Sequence, residues 1–302
     1  MTFKKIRIVT DSTCDIPTDL LHKHHITSVP CYVNYGGSSY ADDGVQLVRE
    51  EYYKQLGSMR PFPTTAAMPP AQAETMIKAA AEDADHIIII TVPAKLSGVY
   101  NTMRLAALSS LPADRYTLID SGQVTMGLGW QVVIGSEVAE ATGSVQAVID
   151  AMQRVRENQK VYAALSTMDF LRAGGRVSWT AASIGALLQI KPIVEVLNGE
   201  VKSHARVRTF NRAVEELIEQ AHKQVPLDRL AILHTNNHAG AESLLQHLAD
   251  IAPAYTLIVN ITPTIGTHIG PGGLGIATVS ETWRTGYDYA IGTGNTGQDP
   301  QA

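Results

Sequence analysis

The sequence predicts an α/β protein of two domains, and three observations predict it. Short β-rich runs alternate with helical periodicity through the first half of the chain. One of them, His86–Thr91, carries four consecutive isoleucines. The second half places Asn198-Gly199 between two further β-rich segments. Alternating strands and helices imply a parallel sheet covered on both faces, and an uninterrupted apolar strand is what such a sheet buries. An Asn-Gly turn demands antiparallel neighbours, so the second half is expected to hold a mixed sheet. The expected division is an N-terminal α/β/α parallel-sheet domain over residues 1–160 and a C-terminal mixed-sheet α/β domain over 161–285. A tail over 286–302, rich in Gly, Thr, Asn, Asp and Gln, is expected to fray.

The elements follow in order. Ile6–Thr10 reads as a strand, Thr18–His24 as a capped helix and Thr27–Val33 as a second strand. Thr64-Thr65 lies in a proline-punctuated loop ahead of a helical stretch after Pro70, and reads locally as a turn or helix-start hydroxyl pair. His86–Thr91 is followed by a helix from Ser97 to Leu108, the strand Tyr116–Asp120, and helices over Thr125–Ala141 and Ser144–Asn158. In the second half Val161–Leu165, Ile190–Leu197, Glu200–Val207 and Tyr255–Ile261 read as strands. Thr209–Gln224, Leu230–Thr235 and Ala239–Asp250 continue the second domain, and Arg172–Arg176 reads as a loop between two helical segments. A last strand, Ile276–Ser280, follows the glycine-rich run Ile265–Gly275.

Composition narrows the function. With 302 residues, 45% hydrophobic, 18% charged and a net charge of −5, the chain gives no electrostatic reason to bind nucleic acid. Its two cysteines, Cys14 and Cys31, fit no zinc pattern and read as buried thiols in a reducing compartment. No basic-then-apolar leader opens the sequence, and apolar runs fall far short of the ~18 residues that span a bilayer. A soluble, cytoplasmic protein is the expectation.

The run Ile265-Gly266-Thr267-His268-Ile269-Gly270-Pro271-Gly272-Gly273-Leu274-Gly275 carries the strongest signal. It reads as a tight loop in which glycines let backbone N–H groups approach a small anion beside His268. Gly270 to Gly275 also satisfies G-x-G-x-x-G, a decoy because a strand rather than a helix follows it. Ser97 stands just beyond the isoleucine strand, where an N-capping serine and an anion-binding serine have nearly the same geometry. Asp11-Ser12-Thr13 and Asp120-Ser121-Gly122 close strands at one rim of the parallel sheet. His22, His24 and His25 lack acidic or thiol companions and read as a solvated helix end, so no metal site is expected. Arg172, Arg176, Arg206 and Arg208 are the only clustered basic positions in a loop or strand-end context, able to hold a phosphate or face a partner.

Taken together these motifs resemble the DegV family. The matching segments are Val9–Asp15, Leu96-Ser97-Gly98-Val99-Tyr100-Asn101, Asp120-Ser121, Leu171–Ser178, Lys191-Pro192-Ile193 and Gly266–Gly272, spread over residues 4 to 283. The resemblance implies two α/β domains with a fatty acid between them and no cofactor. It implies a carboxylate held by Thr65, Ser97 and His268; on physical grounds a positively charged His268 would add a charge-assisted bond. After Thr65 this chain reads Ala66-Ala67-Met68-Pro69-Pro70, so the serine usual in that loop is alanine and the proline is displaced. The resemblance further implies a non-catalytic lipid-binding subunit that presents its ligand to an ATP-dependent fatty acid kinase in phospholipid metabolism, and it allows peripheral membrane contact during lipid exchange. Two other classes compete: a hydrolase or acyl transferase using Ser97 and His268, and, through the fold's likeness to dihydroxyacetone kinase, a component that binds a small carbonyl compound at His268.

Overall fold

A computed structural model describes residues 4–176 and 190–287. The first half runs β1 (Ile6–Asp11), α1 (Thr18–Lys23), β2 (Thr27–Val29), β3 (Tyr32–Tyr35), β4 (Ser38–Ala41) and α2 (Arg49–Leu56). It continues through β5 (Thr64–Ala66), α3 (Pro70–Glu82), β6 (His86–Thr91), α4 (Val99–Ser110), β7 (Tyr116–Asp120), α5 (Met126–Thr142) and α6 (Val145–Glu157). The second half runs β8 (Gln159–Ala164), α7 (Asp169–Gly174), β9 (Lys191–Leu197), β10 (Glu200–Val207) and α8 (Phe210–His222). It ends with β11 (Leu227–His234), α9 (His238–His247), β12 (Thr256–Asn260), α10 (Pro263–Ile269) and β13 (Leu274–Ser280). The helical segment expected after Arg176 and the tail from residue 288 lie outside the described residues.

Both expected sheets are present. β2-β1-β6-β7 is a four-stranded parallel sheet whose centre is the isoleucine strand, with Ile87 to Ile90 fully buried. β10-β9-β8-β13-β11-β12 is a six-stranded mixed sheet in which only β11 and β12 pair in parallel. Its β9–β10 hairpin turns on Asn198 and Gly199 at φ 52° and 74°, the left-handed pair that a two-residue turn requires.

Between the sheets lies α5, apolar on all sides and buried along most of its length. It packs on β1 and β6 of one sheet and on β8 and β13 of the other. Gly129 makes one approach possible, since a Cβ there would stand 2.6 Å from the Cys14 carbonyl oxygen. The largest apolar cluster accordingly runs through both sheets, joining Ile88 and Ile90 to Val161, Leu233 and Ala277.

Three expectations are corrected. The run Thr27–Val33 is two strands, because Pro30 cannot donate to a ladder and interrupts it. The second piece, β3, belongs to a small antiparallel sheet, β4-β3-β5. Thr64-Thr65 is therefore an edge strand paired with β3, not a turn. His24 is buried against α5, its Nδ1 3.3 Å from Glu140 Oε1, while His22 and His25 remain exposed.

Candidate functional site

His268 stands in the last turn of a short helix, α10, and not in an open loop; the glycine-rich turn begins after it at Gly270. Its sequence favours helix weakly, and tertiary contacts hold it. Pro263 supplies the first helical φ. The orphan N–H groups at its start donate to two buried aspartates, Thr262 to Asp15 Oδ1 at 2.7 Å and Thr264 to Asp42 Oδ2 at 2.8 Å. Burial pushes the Asp15 carboxyl up to about 7, against the opposing influence of Arg49. On the other side Tyr52 Oη lies 2.7 Å from Thr267 Oγ1, and Tyr53 donates to the Ile261 carbonyl at 2.9 Å. Gly266 lets α2 come this close: a Cβ there would fall 1.9 Å from Tyr53 Oη.

The imidazole is set with equal tightness. Its Nε2 is 3.0 Å from Thr65 Oγ1 on β5. Its Nδ1 is buried without a partner, against Gly174, where a Cβ would lie 2.0 Å away. Burial lowers the His268 pKa to about 4, and the Arg176 charge adds to the effect. The ring is therefore neutral at pH 7 when no anion sits beside it. Ser97 occupies the turn leading into α4, where its Oγ accepts from Val99 N–H at 3.3 Å and keeps its own proton to donate.

Thr65, Ser97 and His268 line one cavity of about 220 Å³. Its wall is otherwise largely apolar, drawn from Leu96, Val124, Val161, Leu165, Leu171, Val194, Val196, Leu233, Ile265 and Leu274. Thr13, Val92 and Ser97 line it from beyond the carboxyl ends of β1 and β6, where the two rim motifs hold the loops. Asp11 accepts from Thr13 and Val92 N–H at 3.0 and 2.9 Å, and Asp120 from Gly122 and Ala94 N–H at 2.9 and 3.0 Å. Arg176 lines the cavity; Arg172, Arg206 and Arg208 stand exposed outside it. The loop expected over Arg172–Arg176 is in part the end of α7, closed by Gly175 at φ 64°. Thr13, Thr125, His234 and Thr235 also line the cavity, and none was singled out for it by sequence. Thr13 and Thr125 were legible only as a strand end and a helix start, and His234 as the end of an apolar run.

The arrangement bears on the chemistry. A serine nucleophile needs a histidine base that a carboxylate orients. His268 Nε2 faces Thr65, and its Nδ1 meets no carboxylate. No group of three or more potential metal ligands occurs among the described residues. None of the described helices is long and apolar enough to cross a membrane.

The DegV family model, described as an uncharacterised protein of that family, matches residues 5–281. The chain belongs to the DegV family. A DegV domain-containing protein of Deinococcus radiodurans is 32% identical over 281 residues, covering 90% of this DegV chain and 97% of its relative. A protein of Thermotoga maritima named fatty acid-binding protein is 30% identical over 285 residues, covering 90% and 96%. A Thermus thermophilus DegV structure, described as showing fatty acid binding, superposes with a TM-score of 0.84 at 29% identity, covering 91% and 99%.

The His268 proton balance gives a pH prediction for this DegV protein. The unfolded imidazole titrates near 6.5 and the folded one near 4. Between those values the unfolded chain binds a proton that the folded chain refuses, so His268 costs stability as pH falls through that window. Asp15, raised to about 7, acts in the opposite sense. The comparison with His268→Gln isolates the histidine. The drop in Tm from pH 7 to pH 5 is expected to be smaller in the variant, and equal drops would contradict a depressed pKa.

Proposed function

We propose that this chain binds a long-chain fatty acid in the cavity and holds its carboxylate with Thr65, Ser97 and His268. One observation carries the reading: Thr65 and His268, in hydrogen-bond contact, line the same largely apolar cavity as Ser97. Burial of an acyl chain is worth about 0.8 kcal/mol per CH₂, so a long chain binds tightly without a cofactor. A buried carboxylate is costly unless hydrogen-bonded. In this reading the Ser97 hydroxyl proton, the Thr65 hydroxyl and His268 Nε2 meet it. The names given to the Thermotoga and Thermus relatives support the same ligand.

In this reading the acid is presented to a separate ATP-dependent kinase subunit that phosphorylates the carboxylate, and Arg172, Arg176, Arg206 and Arg208 face the phosphate or that partner. The protein itself then needs no nucleophile. Mass spectrometry of lipid released by denaturing the purified protein tests the ligand; an acyl adduct on Ser97 would overturn the reading in favour of a hydrolase. Ser97→Ala is expected to weaken retention of the acid roughly tenfold, the loss of one hydrogen bond to a charged group, with Tm nearly unchanged. Full lipid occupancy after dialysis would remove Ser97 from the site. Replacing Arg172 or Arg208 should spare lipid binding and slow phosphorylation by the partner.

A further inference from the structure

Thr125 is the least explained residue of the cavity. It precedes α5, a helix of 17 residues, at φ 51° and ψ −144°, a backbone conformation that favours glycine and that a β-branched residue rarely adopts. A threonine ahead of a helix ordinarily caps it. This one makes no cap hydrogen bond. It is 3% exposed, its hydroxyl has no partner, and it lines the cavity.

Its position is separate from the Thr65–His268 pair. Val161, Ala163 and Leu165, alternate residues at β8, all line the cavity. Leu165 clusters with Leu171 and Ile269, next to His268. Val161 lies against the first turn of α5, where a Cβ on Gly127 would meet its Cγ2 at 2.5 Å. Four residues of strand separate the two regions, about 13 Å. Val124, the residue before Thr125, lines the cavity together with Val161 and Val196.

We infer that this part of the cavity is a second polar subsite, and that the ligand it takes is an acyl chain bearing an oxygen, a hydroxyl or keto group, along its length. The inference rests on the fatty-acid reading above. A plain hydrocarbon would leave the buried hydroxyl orphaned. An oxygen on the chain would accept from it and would sit at a helix N-terminus, where partial positive charge favours an acceptor.

The test compares stearic acid with hydroxystearic acids carrying the hydroxyl at successive positions, titrated into the full chain stripped of lipid. For wild type, one positional isomer is expected to bind about tenfold more tightly than stearic acid, the equivalent of one satisfied hydrogen bond. In Thr125→Val that ratio falls to about one, and Thr125→Ser restores it. A wild-type protein that binds stearic acid and prefers no isomer overturns the inference and leaves the fatty-acid reading intact. So does a preference that survives in Thr125→Val. Failure to bind any of these acids overturns both. The wild-type isomer series decides the matter even where a variant does not fold.

Discussion

Gly174→Ala is expected to cut fatty-acid affinity by roughly 10- to 100-fold, the loss of a hydrogen bond to a charged group. The argument is steric. A Cβ at position 174 would fall 2.0 Å from His268 Nδ1 and 2.9 Å from Cε1, far inside contact distance. The ring cannot retreat with its helix, because α10 is clamped by Asp15 and Asp42 at its start and packed on Tyr53 at Gly266. It must rotate, and rotation breaks the 3.0 Å contact of Nε2 with Thr65. Overpacking of this kind also costs about 1–3 kcal/mol of stability. Gly175 is the control. Its φ is 64° but nothing lies within 4 Å of the Cβ site, so Gly175→Ala strains the end of α7 without touching the histidine. Calorimetric titration separates the two. Equal affinities for both variants would show that the imidazole's placement does not matter.

Those adjacent glycines show where sequence reading stopped. Gly174-Gly175 reads as a flexible turn between arginines, while the structure gives one glycine a steric duty toward a residue 94 positions away and the other a helix end. Regular elements were legible when local chemistry agreed with tertiary use. The isoleucine strand and the Asn198-Gly199 hairpin are such cases, and Tyr116–Asp120 matches to the residue. Elements held by distant partners were not. β5 is three residues of edge strand and exists through its ladder with β3. α10 contains Thr264, Thr267 and Gly266, poor helix formers, and depends on aspartates from near residues 15 and 42. His24 looked solvated because its partner, Glu140, is 116 residues distant. For the candidate site, Ser97 is legible from its place after a buried strand, and His268 from flanking glycines, of which Gly266 lies inside its helix and Gly270 ends it. Thr65 had no local signal at all and entered only through the family resemblance.

Arg229→Ala is expected to destabilise the fold by about 3–5 kcal/mol, since it strands a buried carboxylate. Arg229 is 2% exposed and lies where α5 meets the mixed sheet, its Nη2 2.8 Å from Glu137 Oε2 and its Nη1 3.2 Å from Asp228 Oδ1. The guanidinium also stacks 4.6 Å from the centroid of the Tyr255 ring, which packs edge-on against Trp130. The two carboxylates fare differently once it is gone. Asp228 keeps Arg284 at 3.1 Å and the Trp283 indole N–H at 2.7 Å. Glu137, whose carboxyl burial already raises, loses the cation that opposes that rise. Its pKa climbs further, so the folded variant takes up a proton more readily than the unfolded one. The defect is then largest at neutral pH and shrinks as pH falls through the raised Glu137 value. Urea unfolding at pH 7 and pH 5 measures this, and adding Glu137→Ala to Arg229→Ala should recover part of the loss. If the deficit is the same at both pH values and the double variant is no better, the damage is lost packing against Tyr255 and not an uncompensated charge.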